Sequence, residues 1–212
     1  MEVLKIGKLT HKLITRFLFK KPFYGKSLIS DDGLKFVTCM LEKLIYENVK
    51  GDVIECGVYR GGSLVEFGNK LKALNSDKTL FGLDTFEGHP YTDEGTKHVK
   101  GHLSDTSYEK VKYVIDSLGL NNVTLIKGKF SDTFPSLKDK RFCFAFVDCN
   151  LYQSVKECLH FLMPRMNKGG IIFIDDYYSE SPLPANKAVE EFIDKKDLVI
   201  LPKQQAYYYV KD

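Results

Sequence analysis

An acidic residue followed by a glycine-spaced turn is the first grouping in this chain suited to gripping a small charged ligand. In Gly51-Asp-Val-Ile-Glu-Cys-Gly-Val-Tyr-Arg-Gly-Gly-Ser63, a short apolar run ends at Glu55 and passes into a loop that opens a helix. Gly57 stands where the chain must turn sharply, and Gly61 and Gly62 where backbone N–H groups must approach a ligand. Further acids stand where other apolar runs end: Asp84, Asp148 and the pair Asp175-Asp176. Ligands of an open parallel α/β sheet bind at the carboxyl ends of its strands, so these acids are expected on one rim. Clustered carboxylates raise one another's pKa and cost stability, so they either stay solvated or surround something positive.

The types and spacing narrow the chemistry. A dinucleotide site would read G-x-G-x-x-G, whereas this turn reads G-x-x-x-G-G with a carboxylate before its first glycine, which disfavours a nicotinamide-dependent oxidoreductase. Asp84, one strand over from the glycine turn, is placed to accept hydrogen bonds from ribose hydroxyls; its alternative role is to start a turn. Asp148, Asp175 and Asp176 offer carboxylate oxygens from adjacent strand ends, a donor set that suits Mg²⁺. The competing readings are that Asp148 and Asp176 cap the segments after them, or that the acids act as bases without metal. Arg60 either meets a cofactor carboxylate or lies at the surface, and Tyr152 and Tyr177 either line the pocket or pack. Residues 88–107 form a long polar connection on the same rim, whose His89, His98 and His102 are solvated loop residues or supply an alternative base.

The elements that must position these residues alternate along the chain. Strands are expected at Val53–Cys56, Thr79–Leu83, Val123–Ile126, Phe142–Val147 and Ile171–Ile174. Helices are expected at Asp32–Asn48, opened by the N-cap candidates Ser30 and Asp31, and at Ser63–Leu74, Tyr108–Leu118 and Gln153–Met163. Continuous apolar strands between helices mean a mostly parallel, doubly wound Rossmann-like α/β sheet covered on both faces. The tail, Leu198–Leu201 and Ala206–Val210, reads as a hairpin closing the sheet antiparallel. Residues 1–30 form a basic amphipathic helix, with Leu9, Leu13 and Phe17 on one face, and a linker; residues 31–212 form the main domain. That helix packs on the domain or across a homo-oligomer, or else lies on a membrane surface.

A chain of 212 residues, 43% hydrophobic, fits one domain. A net charge of +3 does not argue for nucleic acid, so a small-molecule partner is expected. The five cysteines show neither zinc-site spacing nor a disulfide framework, and no segment reads as a membrane span or signal peptide, so a reduced, cytoplasmic protein is expected.

Taken in order, the glycine turn, Asp84-Thr-Phe-Glu-Gly88, Gly128-Lys-Phe-Ser-Asp-Thr-Phe-Pro135, Asp148-Cys-Asn-Leu-Tyr152, Gly169-Gly-Ile-Ile-Phe-Ile-Asp-Asp-Tyr177 and Asn186-Lys-Ala-Val-Glu-Glu-Phe192 resemble the macrocin O-methyltransferase family. The resemblance implies a class I methyltransferase fold and an S-adenosylmethionine- and Mg²⁺-dependent O-methyltransferase acting on a hydroxyl of a sugar or small polar natural product. It assigns the cofactor to Glu55, Gly57, Tyr59, Arg60, Gly61 and Ser63 in the first motif. Beyond that motif it assigns Asp84, Thr85, Phe86, Gly128, Ser131 and Asp148. It implies that Asp148, Asp175 and Asp176 are the metal ligands and that Asp148 is also the base. The family pattern Asp-Gly-Asp-Leu-Tyr is here Asp148-Cys149-Asn150, which replaces one carboxylate by an amide. A catechol-type O-methyltransferase and a catalytically silent S-adenosylmethionine-binding protein are the alternatives.

Overall fold

A computed structural model describes residues 29–175, 177, 183–201 and 205–210. The amphipathic segment within residues 1–28 and Asp176 lie outside the described residues. The order is α1 (Asp31–Tyr46), β1 (Asp52–Cys56), α2 (Gly62–Ala73), β2 (Leu80–Asp84), α3 (Tyr108–Ser117), β3 (Val123–Lys127) and α4 (Phe130–Thr133), which a 3₁₀ turn continues. There follow β4 (Phe142–Val147), α5 (Tyr152–Leu162), β5 (Met166–Ile174), α6 (Pro184–Glu190), β6 (Leu198–Leu201) and β7 (Gln205–Tyr209).

The strands form one sheet in the order β3-β2-β1-β4-β5-β7-β6. The first five are parallel, and the β7–β6 hairpin joins β5 antiparallel. β4, Phe-Cys-Phe-Ala-Phe-Val, is buried at every position, as a central strand covered on both faces must be. Alternation along the strands divides the core. Val53, Phe144 and Phe173 face α1, α2 and α3, where Phe67 meets Phe144 and Phe146 edge-on at 5.7 and 5.4 Å. Ile54, Ala145 and Ile172 face α4, α5 and α6, where Phe134 stacks on Phe161 at 4.2 Å.

Local chemistry sets the helix ends. Ser30 caps α1, its Oγ accepting from the Gly33 N–H, with Asp31 and Asp32 in the first turn; Ser107 caps α3 in the same way. α2 differs: its N-cap is Gly61, at φ +78°, and no side chain caps it.

Three features depart from the sequence reading. β5 starts at Met166 rather than at the expected Ile171 and runs through Gly169-Gly170. Its pairing with β4 shifts register between Phe142 and Phe144, and a Cβ on Gly170 would lie 2.7 Å from the Cys143 carbonyl oxygen, so glycine serves a bulge there. The short α4 carries no readable period. α6 begins with Pro184 in its first turn, a helix start that had no apolar stripe to announce it.

Candidate functional site

Register brings the acids together. Cys56 pairs with Leu83 and Val147, and Val147 with Ile174, so the residues after these strands emerge side by side. Those after β1, β2 and β4 border a cleft of about 830 Å³ of empty space, its mouth included, lined by the glycine turn, Asp84-Thr85, Gly128-Lys129-Phe130 and Asp148-Cys149-Asn150; Asp175, after β5, is not part of that lining.

The glycine turn is forced by packing. Gly57 has φ +98°, and a Cβ there would sit 1.8 Å from the Asp148 carbonyl oxygen, because β1 and β4 run on in contact beyond their ladder. Gly57→Ala is expected to lower stability by about 3 kcal/mol or more, read as a reduced urea midpoint.

Asp84 secures this turn. Its Oδ2 accepts the N–H groups of Val58 at 2.8 Å and Tyr59 at 2.7 Å, and its Oδ1 accepts that of Phe86 at 2.7 Å. The carboxylate thus joins two loops, and with the Thr85 hydroxyl donating to Oδ1 at 3.4 Å it has protein donors on both oxygens. Tyr59, Phe86, Leu103 and Asn150 hold φ between +50° and +61°, left-handed conformations gathered around the cleft. Asparagine tolerates this region better than most residues, which gives Asn150 a backbone role beside its loss of a charge.

Glu55 is fully buried one hydrogen bond behind the wall: Ser63, which lines the cleft, donates to its Oε1 at 2.5 Å. Oε2 is buried with no partner. Burial, opposed by the Ser63 bond and reinforced by the charges of Asp84 and Asp175, raises its pKa to about 8. This orphaned oxygen, beside the uncapped N-terminus of α2, fits a ligand that carries both an ammonium and a carboxylate, as an amino-acid end does.

Asp148 lines the cleft, its N–H bonded to the Cys56 carbonyl at 2.9 Å. The Asp175 N–H reaches the Val147 carbonyl at 3.0 Å, and its Oδ1 accepts from Gln205 Nε2 on β7. The two carboxylates therefore come from neighbouring strand ends and supply hard oxygen donors of the kind a Mg²⁺ ion takes.

The remaining assigned residues divide. Thr85, Tyr59, Arg60 and Gly128 line the cleft; Gly61 caps α2, Phe86 is buried against Tyr108, and exposed Ser131 bonds Asp132. Arg60 and the Tyr59 hydroxyl both bond Asp105 of the long connection, so that connection is pinned to the glycine turn. Tyr177 bonds Glu190 and Tyr152 bonds Glu191, so both tyrosines tie neighbouring elements together. Sequence reasoning missed Pro90, Leu103, Lys129, Phe130 and Ser154, which also line the cleft. Lys129 and Phe130 lie inside a quoted motif, whereas Leu103 arrives only through closure of the connection. His89 is buried rather than solvated, and burial with the charges of His98 and His102 lowers its pKa to about 4.

The arrangement has known counterparts. The chain is 31% identical over 167 residues to the 8-demethyl-8-(2,3-dimethoxy-alpha-L-rhamnosyl)-tetracenomycin-C 4'-O-methyltransferase of Streptomyces olivaceus, covering 74% of this chain and 64% of that one. It is 29% identical over 205 residues to the mycinamicin III 3''-O-methyltransferase of Micromonospora griseorubida, covering 88% of this chain and 79% of that one. The structure of the O-methyltransferase NovP superposes with a TM-score of 0.77 at 27% identity, covering 88% of this chain and 82% of that one. Residues 16–201 match the sequence model of the macrocin O-methyltransferase family, and the chain belongs to that family.

Proposed function

We propose that this protein is an S-adenosylmethionine-dependent O-methyltransferase that methylates a sugar hydroxyl on a small polar acceptor, with Mg²⁺ held by Asp148, Asp175 and Asp176. The observation that carries this reading is the single cleft in which the glycine turn and Asp148 meet, with the orphaned Glu55 oxygen directly behind the Ser63 wall. Two relatives named above, which methylate a rhamnosyl-tetracenomycin and mycinamicin III, support the acceptor class.

S-adenosylmethionine supplies a methyl group on a sulfonium ready for in-line displacement. Glu55 takes its ammonium and the free N–H groups at the start of α2 its carboxylate, while Asp84 keeps the glycine turn in shape beside the ribose and exchanges its long Thr85 bond for a ribose hydroxyl. A bound Mg²⁺ would lower the pKa of an acceptor hydroxyl and fix its approach. Asp148 takes the hydroxyl proton on a carboxylate oxygen as the acceptor attacks. Leu103 and Pro90 wall the cleft with apolar surface and limit water.

The test is calorimetric titration with S-adenosylmethionine, followed by methyl transfer to rhamnosyl glycosides, nucleotide sugars and catechols. Turnover is expected on a sugar acceptor, abolished by EDTA and restored by Mg²⁺ but not by Zn²⁺. Failure to bind the cofactor sinks the transferase reading. Turnover on catechols alone transfers it to the catechol class, and full turnover in EDTA removes the metal.

A further inference from the structure

The connection between β2 and α3 holds a group to which the proposed transfer assigns no role, although one member, His89, lines the cleft. One ring nitrogen from each of His89, His98 and His102 lies within 4.8 Å of the other two. The rings stand 5.3 to 6.2 Å apart, centre to centre. His89 is 8% exposed, and its Nδ1 and that of His98 are buried without a partner. Three imidazoles turned toward one point, two with an unsatisfied buried nitrogen, cost stability unless something accepts their lone pairs.

The backbone sets this cluster up independently of the side chains. The His89 N–H bonds the His102 carbonyl at 2.8 Å, and the Gly101 N–H bonds the His89 carbonyl at 2.9 Å. Gly88, at φ +84°, permits the approach, since a Cβ there would lie 2.5 Å from the His102 carbonyl oxygen. The His98 carbonyl accepts from the Asp93 N–H at 2.9 Å, and the Asp93 carboxylate accepts from the Tyr152 N–H at 2.8 Å, which fastens the far side to α5.

We propose that His89, His98 and His102 form a binding site for a borderline divalent cation of the Zn²⁺ class, with water at the fourth position, that staples the 88–107 connection beside the cleft. Tetrahedral Zn²⁺ with Zn–N bonds of about 2.0–2.1 Å places its nitrogens roughly 3.3 Å apart, so nitrogens now within 4.8 Å close by about 1.5 Å at most through side-chain rotation. The all-imidazole donor set selects zinc, copper, cobalt or nickel over Mg²⁺, which separates this site from the carboxylates at Asp148 and Asp175. It does not rest on the transferase reading.

Tag-free protein, stripped by chelator, is titrated with ZnCl₂ against a chromogenic competitor, and CoCl₂ is added in parallel to read visible ligand-field bands. One equivalent is expected to bind, with tetrahedral Co²⁺ bands. His98→Ala and His102→Ala, which change half-buried and exposed positions, are expected to weaken Zn²⁺ at least about 100-fold. Asp148→Asn is expected to leave Zn²⁺ affinity unchanged, and millimolar Mg²⁺ not to compete. Absence of binding to the parent protein, equal affinity in the His98→Ala/His102→Ala double variant, or loss of binding in Asp148→Asn would each overturn the proposal.

Discussion

Asp148→Asn is expected to reduce kcat by about 10³-fold, within the 10²–10⁴ range of a positioned general base, while the Kd for S-adenosylmethionine stays within about threefold. The amide keeps the shape of the carboxylate and the Asp148 N–H bond to Cys56. It loses a proton acceptor at the cleft wall and a hard metal donor. Single-turnover methylation with cofactor bound checks the first half and calorimetry the second. Equal losses in kcat and cofactor affinity would recast Asp148 as a cofactor-binding or structural residue.

The second large effect concerns Glu55. Its folded pKa, about 8, lies above the ordinary value of 4.5, so over that interval the native state holds a proton that the unfolded chain has released. Stability of the unliganded protein then falls as pH rises from 4.5 toward 8, by up to about 1.4 kcal/mol per pH unit from this group. Glu55→Gln removes the titration. The variant is expected to gain roughly 3 kcal/mol on the parent between about pH 5 and pH 8, and to bind S-adenosylmethionine about 100-fold more weakly, since a buried charge partner is lost. In the parent, the incoming ammonium ionises Glu55, so cofactor binding near pH 7 releases close to one proton. Binding enthalpies in buffers of different ionisation heat measure that release. Urea melts at the two pH values measure the stability. Parallel pH dependence in parent and variant, or no proton release, would refute the role.

Much of this was readable in advance because apolar runs ending in acids report both strand and rim. β4 is buried throughout and β1 nearly so, and the residues that follow such strands have one place to go. The family motifs added order to what spacing alone left as alternatives. What escaped had no local signal. Gly169 and Gly170 punctuate most chains, yet here they relieve a close backbone approach inside a strand. Asp84 looked like a ribose acceptor, and its grip on Val58, Tyr59 and Phe86 is visible only once β1 and β2 lie side by side. The three histidines, spread over fourteen positions, meet because the connection folds back at Gly88 and Gly101, and no periodicity encodes that reversal.

Tyr59, Phe86 and Leu103 keep a backbone shape that side chains with a Cβ resist, each at a cost of about 1–3 kcal/mol. All three flank the same cleft or its turns, so the protein stores strain around the proposed cofactor site. At Phe86 the buried ring's packing on Tyr108 outweighs that strain, so a laboratory selection for heat resistance alone would reach glycine first at half-buried Leu103 and open the cleft wall, whereas a selection that also scores turnover would keep the leucine.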